Sequence, residues 1–177
     1  SSVGEHRNIQ YKQNLQRQSL LKEQQSFADF INNLELDIQI EPLQLQDLRR
    51  AEELCLRTNQ FNFASRRHSE SELRQLLEKD SCNALVVRVS DRFGDYGLVG
   101  LTITDADKSA GLLVVSDFML SCRAMGRGVE HKMIRAVADL AKQHQCGLVQ
   151  INWVETAKNE PARMFLANLQ SQQAHAN

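Results

Sequence analysis

The sequence is poor in glycine, proline and aromatic residues, with 8 Gly, 2 Pro and 1 Trp in 177 residues. That excludes collagen-like, Pro-rich and Gly-linker chains. No apolar run reaches the roughly eighteen residues that cross a bilayer, so no membrane partner is expected. No signal peptide is visible at the N-terminus. An excess of one charge is also missing: Lys and Arg number 21, Asp and Glu 22, and the net charge is -1. Phosphate backbones need surplus positive charge, so nucleic acid is not an expected partner. The four cysteines, Cys55, Cys82, Cys122 and Cys146, form no C-x-x-C pair. The commonest zinc and redox patterns are therefore absent, and no metal is expected. The expectation is four free thiols in a reducing cytoplasm.

What is present is enough apolar residue, 42%, for one packed domain with an extension. Residues 1–34 read as a helical extension or linker from an absent upstream domain. Its stretch from residue 5 is Gln-rich, with spaced apolar positions such as Leu15, Leu20, Phe27, Phe30 and Leu34. One long helix and two shorter ones are both open readings. Residues 35–170 read as the main domain and 171–177 as a flexible tail. Alternation at Leu36, Ile38 and Ile40 marks a strand that Pro42 ends. A helix is expected over 45–57, and the capping box Ser69–Glu72 starts another that runs to Leu77. Strands follow at Ala84–Val89, Leu98–Thr104 and Leu112–Leu120, with turns at 92–97 and 105–110. A helix over 128–143, a strand at Leu148–Val154 and a helix over 160–170 complete the chain. This order predicts a mixed α/β (α+β) fold, its sheet covered by helices on both faces.

The sharpest motif is Arg123-Ala124-Met125-Gly126-Arg127-Gly128, set between a Val/Leu-rich strand and an amphipathic helix. A strand-to-helix turn offers unpaired N–H groups at the positive end of a helix dipole. Gly126 and Gly128 let backbone approach a phosphate closely, and Arg123 and Arg127 add charge. The same glycines would also serve a plain tight turn.

Arg-x-x-Gly-x-Gly in this place resembles the acyl-CoA-binding motif of the GNAT acyltransferases, and the element order matches theirs. The resemblance implies that two strands splay apart and hold a pantetheine arm, with residues 113–122 and 148–154 lining the acyl site. A more specific likeness covers about Arg7 to Leu169. Thr58-Asn59-Gln60-Phe61-Asn62, Arg66-Arg67, the string from Asp91 to Gly100, the string from Phe118 to Arg127 and Lys158-Asn159 resemble the C-terminal half of FkbH-like proteins. That likeness implies an upstream haloacid-dehalogenase-type (HAD) phosphatase domain. It also implies transfer of a glyceryl-type three-carbon unit, drawn from 1,3-bisphosphoglycerate, to the phosphopantetheine thiol of an acyl carrier protein in polyketide assembly. The D-x-D-x-T motif of such a phosphatase is not in this sequence. The Tyr that GNAT enzymes often carry seven residues past the position of Asn159 is Leu166 here. The Gly-Phe and closing hairpin usual after the last helix are missing as well. Acetyl-CoA-dependent N-acetyltransfer and a non-catalytic carrier-docking module stand as alternatives.

The resemblance makes Cys122 a nucleophile that holds the acyl group as a thioester, whereas composition alone makes it a small buried hydrophobe. His68 is its candidate base, or else an exposed loop histidine. Asn59, Gln60 and Asn62 bring amides suited to the hydroxyls of a glyceryl group, or to capping their own loop. Asp117, inside an apolar strand, needs a partner: an ion pair or a substrate hydroxyl. Asn159 is expected at the acyl site, at the cap of the last helix, or both. Trp153 is expected in the core, and His131 on a solvated helix face.

Overall fold

The computed structural model describes residues 2–23 and 26–174. Helices α1 (Ser2–Glu23) and α2 (Phe27–Leu34) lead into strand β1 (Asp37–Pro42) and helices α3 (Leu48–Arg57) and α4 (Glu70–Leu77). Three longer strands follow: β2 (Cys82–Asp91), β3 (Gly94–Asp107) and β4 (Leu112–Leu120). Helix α5 (Val129–Gln143), strand β5 (Leu148–Ile151) and helix α6 (Glu160–Ala174) complete the described chain. All five strands form one sheet in the order β1-β2-β3-β4-β5. Pairing is antiparallel up to β4, and β4 pairs with β5 in parallel across the α5 crossover.

Strand side chains alternate between faces, so the sheet has two cores. On one face Val87, Val99, Val115, Phe118 and Leu120 meet Val129, Met133 and Val137 of α5 and Phe165 of α6. On the other, Leu101, Ile103 and Met119 meet Leu48, Ala51 and Leu54 of α3 and Leu73 of α4. The helices on both faces, the meander and the single crossover are those expected from the sequence. So is the capping box: Ser69 Oγ accepts from the Glu72 N–H at 3.3 Å, and Glu72 Oε2 accepts from the Ser69 N–H at 2.7 Å.

Several boundaries differ from expectation, and β3 already begins at Gly94, inside the stretch read as a turn. The tail read as flexible is helical as far as Ala174, because Gln and Ala continue a helix where neither Gly nor Pro stops it; residues 175–177 lie outside the described part. Strand β3 runs past Thr104 to Asp107, whose carboxylate caps the hairpin by accepting the N–H groups of Ser109 and Ala110. Strand β5 stops at Ile151 rather than Val154, since a distant segment pairs where it would have continued.

The N-terminal stretch forms two helices, and Ser26 caps the second by accepting the Asp29 N–H at 3.1 Å. Helix α1 docks on this domain through its polar side. Arg17 Nε and Nη2 donate to the two oxygens of Asp91 at 2.7 and 3.0 Å. The two side chains are 8% and 0% exposed. Asp91 also accepts the N–H groups of Phe93 and Gly94 and the Tyr96 hydroxyl, the last at 2.5 Å. A Cβ at Gly94 would meet the amide end of the Gln13 side chain, which can swing aside. Ile9, Tyr11, Leu15 and Leu21 remain exposed on α1.

Burial by itself pushes the Asp91 carboxyl up, but bonds from Arg17, Tyr96 and the Phe93 N–H outweigh it and hold the pKa below the usual carboxylate range. Such a group stabilises the fold fully above its unfolded value of about 3.9. The contribution is lost as pH falls through the folded value. Asp91→Asn leaves Arg17 without its counter-ion and is expected to cost about 3–5 kcal/mol. At this chain length that lowers Tm by roughly 6–20 °C at pH 7. Circular-dichroism melts should show the gap between parent and variant narrowing below about pH 4.

Candidate functional site

Strand β4 ends at Leu120, and the chain makes one 3-10 turn, Cys122–Ala124, before Gly126 and Gly128 lead into α5. The Ser121 N–H bonds the Val99 carbonyl at 2.7 Å and holds this end against β3. Cys122 is exposed there, whereas Cys55 and Cys146 are buried and Cys82 is half-buried. All four are free. A cavity of about 360 Å³ opens beside Cys122. Its polar wall includes Arg50, Glu53, Arg57, Asn59, Gln60 and Arg123, with Glu53 paired to Arg50 at 2.5 Å, and Leu54, Phe61 and Leu120 are its apolar lining. The sequence reading had placed Cys122, Arg123, Asn59 and Gln60 at the site. It had missed Arg50 and Arg57, which stand on α3 with nothing in their spacing to mark them. Asn59 is partly committed, because its Oδ1 accepts from Arg67.

The remaining candidates are not brought to the thiol. His68 Nε2 lies 2.9 Å from Asp117 Oδ1, and Arg66 approaches the same carboxylate at 4.0 Å. The His68–Asp117 contact is close without the alignment of a hydrogen bond, and neither residue lines the Cys122 cavity. His68 therefore sits against the carboxylate buried in strand β4 rather than on the wall of the Cys122 cavity. Asn62 is also corrected. It is buried, its amide donates to the carbonyls of Thr58 and Arg66, and its Oδ1 accepts the Ser65 N–H at 2.9 Å. Asn159 is likewise buried. It donates to the carbonyls of Asn62 and Val154 at 3.1 and 2.8 Å and accepts the Thr156 N–H. Both side-chain amides fasten backbone, and the Asn159 main-chain carbonyl accepts the Arg163 N–H at 3.1 Å, which puts Asn159 at the cap position of α6. Trp153 packs edge-on to Phe63 in the core, and exposed His131 sits edge-on to Phe165.

The largest departure concerns the gap between β4 and β5. The two strands part after Ile151, where the Asn152 N–H still reaches the Val115 carbonyl at 2.9 Å. Beyond that point the chain's own segment 61–63 enters. The Phe63 N–H bonds the Phe118 carbonyl at 3.1 Å, and the Leu120 N–H bonds the Phe61 carbonyl at 2.9 Å. On its far side, the Val154 N–H bonds the Phe63 carbonyl at 2.8 Å. The Phe63 ring stacks on Phe118 with centroids 4.5 Å apart. Residues 113–122 and 148–154 thus flank a filled gap, and of the acyl-site lining expected from them only the end of β4 faces the cavity. One amide of the glycine loop is taken too. Gly126 and Gly128 have φ of 71 and 81, the left-handed region that suits glycine. The Gly126 N–H donates to Glu130 Oε1 at 2.8 Å, so a carboxylate already holds a donor the loop would offer a phosphate. In this structure the edge of β4 is bonded by segment 61–63 and one amide of the glycine loop by Glu130.

Among the described residues, no cluster of His, Cys, Asp and Glu could hold a metal ion. No described helix is long and apolar enough to cross a membrane.

A mixed sheet whose parallel pair diverges beside a glycine-bearing strand-to-helix turn is the GNAT acyltransferase fold. Solved structures agree. An aminoglycoside acetyltransferase from an uncultured soil metagenomic sample superposes with a TM-score of 0.55 at 18% identity, over 75% of this chain and 90% of that one. A ribosomal-protein-alanine N-acetyltransferase from Brucella melitensis biovar Abortus 2308 gives 0.55 at 20% identity, over 76% and 90%. An aminoglycoside 6'-N-acetyltransferase from Acinetobacter baumannii gives 0.57 at 15% identity, over 75% and 89%. Identities this low establish the fold alone. No protein-family model and no curated protein matches the chain.

Thiol chemistry distinguishes the cysteines. Burial raises the Cys55 thiol to about 11 and also raises Cys82. Iodoacetamide at pH 8 should alkylate Cys122 first, with Cys55 and Cys146 protected until the chain unfolds. Peptide mass spectrometry over a time course checks this order; Cys55 labelling as fast as Cys122 would contradict the burial described.

Proposed function

We propose that this domain transfers a short hydroxyacyl group through Cys122, as its likeness to the second half of FkbH-like proteins implies. The acceptor in this reading is the pantetheine thiol of an acyl carrier protein in the cytoplasm. The donor is a glyceryl-type unit supplied by an upstream phosphatase domain. The observation that carries the reading is the exposed thiol on the wall of a cavity lined by Arg50, Arg57, Asn59, Gln60 and Arg123. Guanidinium and amide donors suit the carbonyl and hydroxyls of such a group.

The chemistry has two balanced steps. The Cys122 sulfur attacks the acyl carbonyl of the donor, a carbon–sulfur bond forms, and the donor's leaving group departs with the bonding pair. The thiol proton goes to that leaving group or to solvent. An incoming thiol then attacks the Cys122 thioester, and its proton returns to the Cys122 sulfur. A thioester exchanged for a thioester is close to isoenergetic, so the second step needs no external driving force.

Acetyl-CoA-dependent transfer to an amine is the other reading, since the neighbours above are described as N-acetyltransferases. One feature weighs against it here: Leu166 stands where such enzymes often carry a Tyr, whereas the filled gap between β4 and β5 bears equally on a coenzyme A arm and on a carrier-protein arm. The tests differ. With a glyceryl or lactyl N-acetylcysteamine thioester, intact-protein mass spectrometry should find one acyl adduct. Cys122→Ala should lower its formation by roughly a thousandfold or more. Cys122→Ser should give a slower ester. Unchanged acylation of Cys122→Ala would reduce the thiol to packing and favour a carrier-docking module. Amine acetylation from acetyl-CoA by Cys122→Ala would favour the other reading.

A further inference from the structure

The two edges of the sheet differ. Strand β1 carries Asp37 and Glu41 and ends on Pro42, residue types that discourage a further strand. Strand β5 lies at the other edge, and the stretch 147–154 around it holds no charge and no proline. Among the described residues, no strand lies beyond β5. Leu148 and Val149 are 67% and 41% exposed there. An uncharged, apolar edge of this kind is a template for another strand.

Pairing with β4 fixes which backbone groups are left over. The Leu148 N–H bonds the Gly111 carbonyl at 3.1 Å, and the Asn152 N–H bonds the Val115 carbonyl at 2.9 Å. Successive residues of a strand turn their N–H and C=O to opposite sides. Leu148, Gln150 and Asn152 therefore face β4, and Val149 and Ile151 present both groups to the open edge. The side chains of Val149 and Ile151, with Trp153 beyond them, line a groove of about 670 Å³ against Ile134 of α5 and Leu166 of α6. Among the described residues that line it, only Arg163 is charged, and Glu160 pairs with it.

We propose that this edge is a homodimer interface, in which β5 pairs antiparallel with β5 of a second copy about a two-fold axis at Gln150. That register sets Val149 against Ile151 of the second copy, and Ile151 against Val149. Each such pair exchanges both of its backbone hydrogen bonds. The same pairs bring branched apolar side chains together beside the groove, the kind of cross-strand contact that stabilises a sheet. Gln150 meets its own copy in a pair without backbone bonds, where Cβ atoms come to about 5 Å. A primary amide both donates and accepts, so the two Gln150 side chains complement each other across the axis. Gln150 is exposed, and its amide makes only a long contact of 3.5 Å with Asn152. Charge favours a second copy as the occupant. The edge offers nothing to attract a charged partner, and a net charge of -1 lets two copies approach. A two-fold contact is also closed: it hides both unprotected edges and leaves outermost only the protected edges of β1. The interface shares no residue with the Cys122 cavity, so it stands apart from the acyl-transfer reading.

Sedimentation velocity of the full chain over about 1 to 500 µM should show monomer converting to dimer. Gln150→Glu and Gln150→Lys each set like charges against one another across the axis. Either variant alone should weaken dimerisation about tenfold or more at low salt. An equimolar mixture of the two should associate at least as tightly as the parent, because opposite charges then meet. A disturbed fold would not be rescued in this way, and circular-dichroism melts of each variant report the fold directly. A monomer at every concentration leaves the edge to some other partner and overturns the proposal. So does a dimer that both single variants leave intact, or a mixture that associates no better than either variant alone.

Discussion

The pairing of segment 61–63 with the end of β4 is the constraint on which the rest of the site depends. A diverging pair of parallel strands leaves open backbone groups along the inner edge of each, and buried groups of that kind must find partners. Here the chain supplies them itself, with Phe61 and Phe63 bonding β4 on one side and Val154 bonding Phe63 on the other. Asn62 and Asn159 then tie the inserted segment to its surroundings through the backbone, and Phe63 stacks on Phe118. The insertion shortens β5, fills the divergence and gives the cavity at the end of β4 its Phe61 floor. It also explains why two amides that read as substrate ligands are structural.

Charge is distributed unevenly over a nearly neutral chain. Arg50, Arg57, Arg123 and Arg127 gather around the end of β4, and Arg17 reaches the same region from α1. Some of this charge is matched. Arg50 lies 2.5 Å from Glu53, and Arg17 is held by Asp91. Arg123 and Arg127 are in no ion pair among the described residues. Ion pairs on exposed helix surfaces, such as Arg163–Glu160, contribute little to the fold.

Much of the fold was legible because it follows from periodicity. Apolar alternation in β1, the apolar runs of β2 to β4 and the 3.6-residue stripe of Val129, Met133 and Val137 are local patterns that need no partner to be seen. The capping box at Ser69 is likewise local. The site was legible in part. Cys122, Arg123, Asn59 and Gln60 were found because the motif and the resemblance mark a contiguous string. Arg50 and Arg57 were missed, because both reach the site from a separate element, α3. The neighbour of His68 was not legible, because Asp117, 49 positions away in the numbering, reaches it only through the fold.

The sequence by itself determined the strand and helix order, the single crossover and the turn geometry at Gly126 and Gly128. Those depend on side-chain period and on backbone sterics within a few residues. Only the tertiary structure decided which polar groups are free to act. A buried amide or carboxylate is taken by whichever partner packing brings within about 3 Å, and that partner is generally remote in sequence. Asn62, Asp117 and Asn159 are consumed in this way. Cys122 remains exposed because the chain leaves the sheet at Ser121, and Arg123, on the wall of the same cavity, keeps an unpartnered donor.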